Sequence, residues 1–222
     1  MSKRQNVSFL FWNIDGVKYK IGNTSYSKLD DEENINQFSQ YDIICLAETH
    51  SSYKDKLDMN GYRTVKNVRP KSNTSNKFYG GLAVLAKQSI RKGIKFLPIT
   101  STEFMWLKLD QAFFNIENDL YLCLAYCNPT SSSFTPPEGD IFELIENKVA
   151  EYSKLGDILI CGDFNARTNI DSDYCSFDSE LSEHLDMPVH FLSDVPIYRS
   201  NVDKRTVDEN GKKMLTYANQ LV

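Results

Sequence analysis

The chain has 222 residues, 41% hydrophobic and 25% charged, with a formal net charge of −5. That length allows one domain with a substantial core, or two small ones, and the composition excludes a disordered chain. No apolar run approaches the roughly 20 residues a membrane-spanning helix needs. The first residues enter a strand-like segment with no signal peptide between, so an intracellular protein is expected. Of the five cysteines, Cys45, Cys123 and Cys161 sit inside apolar runs and read as reduced core thiols.

In chain order, residues 7–14 are rich in aromatic side chains and predict a buried strand ending near Asn13, Asp15 and Gly16. Residues 18–33 are polar and read as a loop, and residues 34–40 as a short helix with Ile35 and Phe38 on one face. A second apolar strand, residues 41–48, closes on Glu48, Thr49 and His50. Residues 61–68 are weakly strand-like, and 69–77 form a flexible basic loop. Further strands are predicted over 80–87, 94–99, 104–109 and 119–126, the last stopped by Asn128-Pro129.

Phe142, Ile145, Val149 and Tyr152 recur at spacings of three and four, which predicts a helix over 141–152, with Gly156 where a C-terminal stop belongs. Residues 157–165 then give an apolar strand, expected to be buried on both faces, followed by Gly162, Asp163 and Asn165. Two residues apart in an extended chain, Asp163 and Asn165 point the same way, an acceptor and a donor suited to holding a water or a phosphate oxygen. On this stretch alone an ordinary Asx turn accounts for them equally well. After a long polar segment, Met214, Leu215, Ala218 and Leu221 suggest an amphipathic helix over 211–222. Many strands, few helices and no repeat or linker predict one α/β or α+β sandwich domain.

Net charge argues mildly against a nucleic-acid partner, but its distribution does not. Between Asp58 and Glu103 there is no acidic residue, while the interval carries Arg63, Lys66, Arg69, Lys71, Lys77, Lys87, Arg91, Lys92 and Lys95. That third of the chain suits a polyanion, or equally a solvated loop and a lysine-guarded edge strand. Four strands end on polar side chains: Asn13 and Asp15, Glu48, Tyr126, and Asp163 with Asn165. Brought together, this oxygen-rich, thiolate-free set suits Mg²⁺, which would polarise a phosphate and activate a water.

Trp12-Asn-Ile-Asp-Gly16, Cys45-Leu-Ala-Glu-Thr-His50, Gly80-Gly-Leu-Ala-Val-Leu85, Ala125-Tyr-Cys-Asn-Pro129 and Gly162-Asp-Phe-Asn-Ala166, in that order, resemble the motifs of the endonuclease/exonuclease/phosphatase superfamily. In detail they look closest to the apurinic-type endonuclease domain of non-LTR, LINE-like retrotransposons. The resemblance implies a four-layer sandwich of two mixed β-sheets flanked by helices, and Mg²⁺- or Mn²⁺-dependent phosphodiester hydrolysis. It makes Glu48 the principal metal ligand with Asn13 and Asp15 beside it, and Tyr126 a donor to the phosphate. Asp163 would orient or deprotonate the attacking water, and Asn165 would hold water or phosphate in line.

Arg69, Lys71 and Lys77 would contact the backbone of a DNA partner, giving salt-sensitive binding. The same resemblance implies a nuclear location and a reverse transcriptase downstream. Ordinary structural roles stay open for Asn13 as a turn cap, Tyr126 as core, and His50 as packing or a support for the ligands.

The family's closing Ser-Asp-His motif has no counterpart here; Ser182-Glu183-His184 and Ser193-Asp194 stand too close to Asn165 to serve. The expectation is therefore a domain incomplete at its C-terminus, inactive or severely impaired, with a DNA-nicking endonuclease as its parent activity. Two other readings accompany it: a phosphatase or phosphodiesterase acting on a small molecule, lipid or RNA, and a non-catalytic remnant that binds nucleic acid.

Overall fold

The computed structural model describes residues 6–71, 77–132, 134, 136–169 and 204–220. It divides into two compact units, residues 1–127 with 134–163, and residues 128–133 with 164–222. Among the described residues no helix is long and apolar enough to cross a membrane.

The first unit holds strands β1 (Phe9–Asn13), β2 (Lys18–Ile21), β3 (Thr24–Ser27), β4 (Ile43–Ala47), β5 (Tyr62–Asn67), β6 (Leu82–Lys87), β7 (Ile94–Phe96), β8 (Phe104–Leu109), β9 (Leu120–Tyr126) and β10 (Asp157–Asp163). Its helices are α1 (Glu32–Phe38), the single turn α2 (Gln111–Phe114) and α3 (Ile141–Tyr152). Two mixed sheets form, in the orders β1-β4-β6-β5 and β10-β9-β8-β7. Each opens with one parallel pair, β1 with β4 and β10 with β9, and continues antiparallel.

Alternation along the strands sorts the apolar residues into separate clusters. Ile43, Cys45 and Ala47 of β4 and Leu82, Val84 and Ala86 of β6 meet Met105, Leu107 and Leu109 of β8 and Leu122, Leu124 and Tyr126 of β9 in the core between the sheets. The intervening Ile44, Leu46, Ala83 and Leu85 face the other way, onto Phe38 of α1 with Leu29, Leu57 and Met59. Both faces of β4 and β6 are thus buried, which is why their sequences read as unbroken apolar runs. On the second sheet, Tyr152 of α3 lies edge-on to Trp106 at 5.1 Å and stacks on Tyr121 at 4.8 Å. Asp140 caps α3 by accepting from the Phe142 amide at 2.9 Å.

Three expectations change. Residues 18–33 are not simply a loop: β2 and β3 form a hairpin around Gly22-Asn23, with Tyr19 opposite Tyr26 and their rings 5.6 Å apart. The glycine-containing two-residue turn was the available signal, masked because both strands are largely exposed and polar. The α1 helix starts at Glu32, before residue 34, because Asp31 accepts from the amides of Glu33 and Asn34. The β10 strand is not buried on both faces: among the described residues it is the outermost strand of its sheet, and Leu159 is 38% exposed.

In the second unit, helix α4 (Glu209–Gln220) begins beside Asp208, whose carboxylate accepts from Gly211 N at 2.8 Å and Arg167 N at 3.1 Å. A Cβ at Gly211 would stand 2.0 Å from the Arg167 carbonyl oxygen, so only glycine admits that approach. Asn210 donates to the carbonyls of Asn128 at 2.9 Å and Phe164 at 3.1 Å.

Leu122 is fully buried at the centre of the inter-sheet core. Leu122→Ala is expected to cost about 2–5 kcal/mol, read as a lowered denaturant midpoint with an unchanged m-value.

Candidate active site

Parallel pairing brings the carboxyl ends of two strands to the same edge of a sheet, and this happens in both sheets. Asn13, the last residue of β1, is in register with Ala47, so Glu48 follows immediately beyond. Asp163, the last residue of β10, is in register with Tyr126, the last of β9. The sheets bring these edges together: Asn13 Nδ2 donates to Asp163 Oδ2 at 2.7 Å and to Glu48 Oε1 at 3.1 Å. Asn13 Oδ1 accepts from the Asp15 amide at 3.2 Å, so the turn-capping role and the site role belong to one side chain.

Beyond the strand ends the backbone is tightly constrained. Asp15, Glu48 and His50 all have positive φ, at 45°, 54° and 50°. For side chains other than glycine such a conformation costs of order 1–3 kcal/mol and survives only where its surroundings impose it. They do so here through amide bonds from Gly16 to the Glu48 carbonyl (2.7 Å), Val17 to Thr49 (3.0 Å), Thr49 to Gly81 (3.1 Å) and His50 to Gly80 (2.9 Å). Gly81, at φ 83°, leaves room for Thr49 Oγ1, which a Cβ would approach to 2.8 Å. Lys28 Nζ further ties the Asp15 carbonyl at 3.2 Å.

Among the described residues the result is a candidate ligand group. One atom each from Asp15, Glu48 and His50 lies within 4.8 Å of the others. His50 Nε2 is 3.4 Å from Glu48 Oε2, and its ring meets Tyr79 edge-on at 5.9 Å. The two carboxylates suit a hard divalent cation with open positions for water and substrate, so Asp15 and Glu48 fit the expected Mg²⁺ or Mn²⁺. His50, expected as packing or support, stands beside the candidate ligand atoms of Asp15 and Glu48. Its position two residues after Glu48 was visible in sequence; the left-handed turns that fold it back were not.

Tyr126 is in the core and in the site at once. Its ring is buried between the sheets, and its hydroxyl lies within electrostatic reach of the Glu48 carboxylate. Burial first, and the Glu48 carboxylate second, push its phenol well above the usual range, so it stays a protonated donor at any physiological pH. Asn165 has φ 45° and falls in the second unit, so the extended-chain argument that aligned it with Asp163 stops at the strand end.

Arg69 overturns its expected role as a DNA contact. It is 4% exposed and makes a bidentate pair with Glu103, itself 1% exposed, with Nε donating to Oε1 at 2.9 Å. Other bases of the interval are also engaged. Lys66 donates to the carbonyls of Ser52 at 3.0 Å and Tyr53 at 2.9 Å, Lys87 pairs with Asp42 at 3.1 Å, and Arg91 donates to the Ile94 carbonyl at 2.8 Å. Arg63, Lys71, Lys77, Lys92 and Lys95 remain at the surface.

The model of the endonuclease/exonuclease/phosphatase family matches residues 10–186. The chain belongs to that family. No curated protein matches this family member. Among solved structures it is similar to a 3′-5′ exonuclease from Neisseria meningitidis, at 18% identity and TM-score 0.47 over 73% of this chain and 59% of that one. The catalytic domain of Xenopus laevis APE2 gives 16% identity and TM-score 0.48 over 81% and 64%. An AP endonuclease from Archaeoglobus fulgidus gives 13% and 0.42 over 76% and 62%. The chain thus spans less than two thirds of the length of each of these structures.

Glu48→Gln is expected to weaken Mn²⁺ binding, followed by electron paramagnetic resonance or calorimetry, by at least about tenfold. That is the lower end of what losing a residue that merely orients a ligand costs.

Proposed function

We propose that this chain carries a divalent-metal phosphodiesterase site directed at DNA, that of a nicking endonuclease of the kind found in non-LTR retrotransposons, built on a single four-layer sandwich domain. The observation that supports it most is the Asn13 carboxamide, which joins Glu48 and Asp163 across the two sheets. This is the arrangement a phosphodiesterase needs if one carboxylate is to hold a cation and the other to handle water. Family membership supports hydrolysis of a phosphoester. The retrotransposon reading rests on the neighbourhoods of Glu48-Thr49-His50 and Gly162-Asp163-Phe164-Asn165.

Mg²⁺, or Mn²⁺ in its place, would be held by Glu48 and Asp15 with Asn13 and His50 beside them, and would supply phosphate polarisation and a more acidic water. Asp163, fixed by the Asn13 amide, orients the attacking water and accepts its proton. Tyr126 donates its hydroxyl to a non-bridging phosphate oxygen. The exposed Arg63, Lys71 and Lys77 supply sequence-independent backbone contacts, and so a salt-dependent affinity.

Supercoiled plasmid incubated with the purified chain and Mg²⁺ is expected to yield nicked circles slowly. No Ser-Asp-His stands in the sequence, and one missing transition-state electrostatic group commonly costs about 10²- to 10³-fold. EDTA and Asp163→Ala should each abolish the product. Release of inorganic phosphate from phosphomonoesters without nicking would instead indicate a phosphatase. EDTA-insensitive DNA binding without turnover would indicate a binding remnant.

A further inference from the structure

Arg69 and Glu103 form a buried ion pair whose surroundings converge on one side chain. Thr102 Oγ1 also donates to Glu103 Oε1, at 2.8 Å. The Arg69 guanidinium carbon lies 5.2 Å from the Tyr126 ring centroid and 4.5 Å from that of Phe134, so the cation is within reach of both rings. The Tyr126 amide donates to the Glu103 carbonyl at 2.8 Å, which fixes the backbone that carries the ring to the residue that holds the cation. Asn67 Nδ2 donates to the carbonyls of Ser101 at 2.7 Å and Phe104 at 3.1 Å, anchoring the end of β5, just before Arg69, to the segment that carries Glu103. Gly80, at φ 65°, gives the guanidinium its space: a Cβ there would stand 2.5 Å from Arg69 Cζ.

Such a pair is a poor way to gain stability, because desolvating two charges offsets most of their attraction and apolar residues of similar volume often serve as well. What it supplies here is a rigid, polar clamp on a ring that apolar packing alone would leave free to tilt. We propose that the Arg69–Glu103 pair is a positioning device for Tyr126, aiming its hydroxyl at the reacting phosphate beside Glu48; this rests on the phosphodiesterase reading of the site. Arg69 touches no substrate in this role and acts through the tyrosine.

The test uses the full chain with ¹³C-labelled tyrosine. The variants are Arg69→Lys and the paired Arg69→Met/Glu103→Leu, which avoids stranding a buried charge; Tyr126→Phe assigns the resonance by its loss. In both Arg69 variants the Tyr126 ring signal should shift and broaden, while the thermal midpoint of the paired variant stays close to that of the parent chain. A Tyr126 signal unchanged in a folded Arg69 variant overturns the proposal.

In the nicking assay, Arg69→Lys should lower kcat about tenfold with KM unchanged, and should add nothing in a Tyr126→Phe background. Losses that add fully in the double variant overturn it as well. If the parent chain does not nick DNA, the proposed function fails, and the resonance experiment decides the positioning role alone.

Discussion

One carboxamide, that of Asn13, carries the constraint on which the site depends. Its nitrogen donates to a carboxylate from each sheet, so it holds two like charges near each other at the edge where both parallel strand pairs end. Carboxylates so placed repel unless a cation or donors compensate them. An amide can supply donors but no charge, and the remaining imbalance is what a divalent cation would neutralise. Asn13 is also committed at its oxygen, where it fixes the Asp15 turn. The two sheets, the turn and the ligand group therefore meet at a single side chain.

The backbone around that side chain is costly. Three adjoining non-glycine residues in left-handed conformation, Asp15, Glu48 and His50, are held by amide bonds to neighbouring turns and by glycines placed where no Cβ fits. The core beneath offsets that strain: β4 and β6 bury both faces, and residues of β8 and β9 close the space between the sheets. Stability is concentrated in the strands and spent at their ends, as is common where function requires a geometry the chain would not adopt alone.

Charge follows the same logic. The acid-free interval from Asp58 to Glu103 looked in sequence like a polyanion-binding face, yet Arg69 lies inside the protein against Glu103, and Lys66 and Lys87 are engaged by carbonyls and by Asp42. A linear count of bases cannot distinguish a cation facing solvent from one that holds two strands together, because burial and partner choice are set by residues far along the chain. Arg69 and Glu103 are 34 positions apart.

The sequence by itself determined the strands with two buried faces, the amphipathic α3 helix, the family motifs and the identity of Asn13, Glu48, Tyr126 and Asp163 as the polar residues closing those strands. These are local properties: periodicity, composition and turn chemistry within a few residues. It failed at the β2–β3 hairpin, where the alternation of Lys18-Tyr19-Lys20-Ile21 spans only four largely exposed residues, and at β10, where apolar content did not reveal partial exposure. Only the tertiary structure decided that His50 lies beside Asp15 and Glu48, that Arg69 turns inward beneath Tyr126, and that Asn13 spans the two sheets. Each of these depends on positive-φ turns or on contacts between distant strands, and neither leaves a periodic trace in the order of the residues.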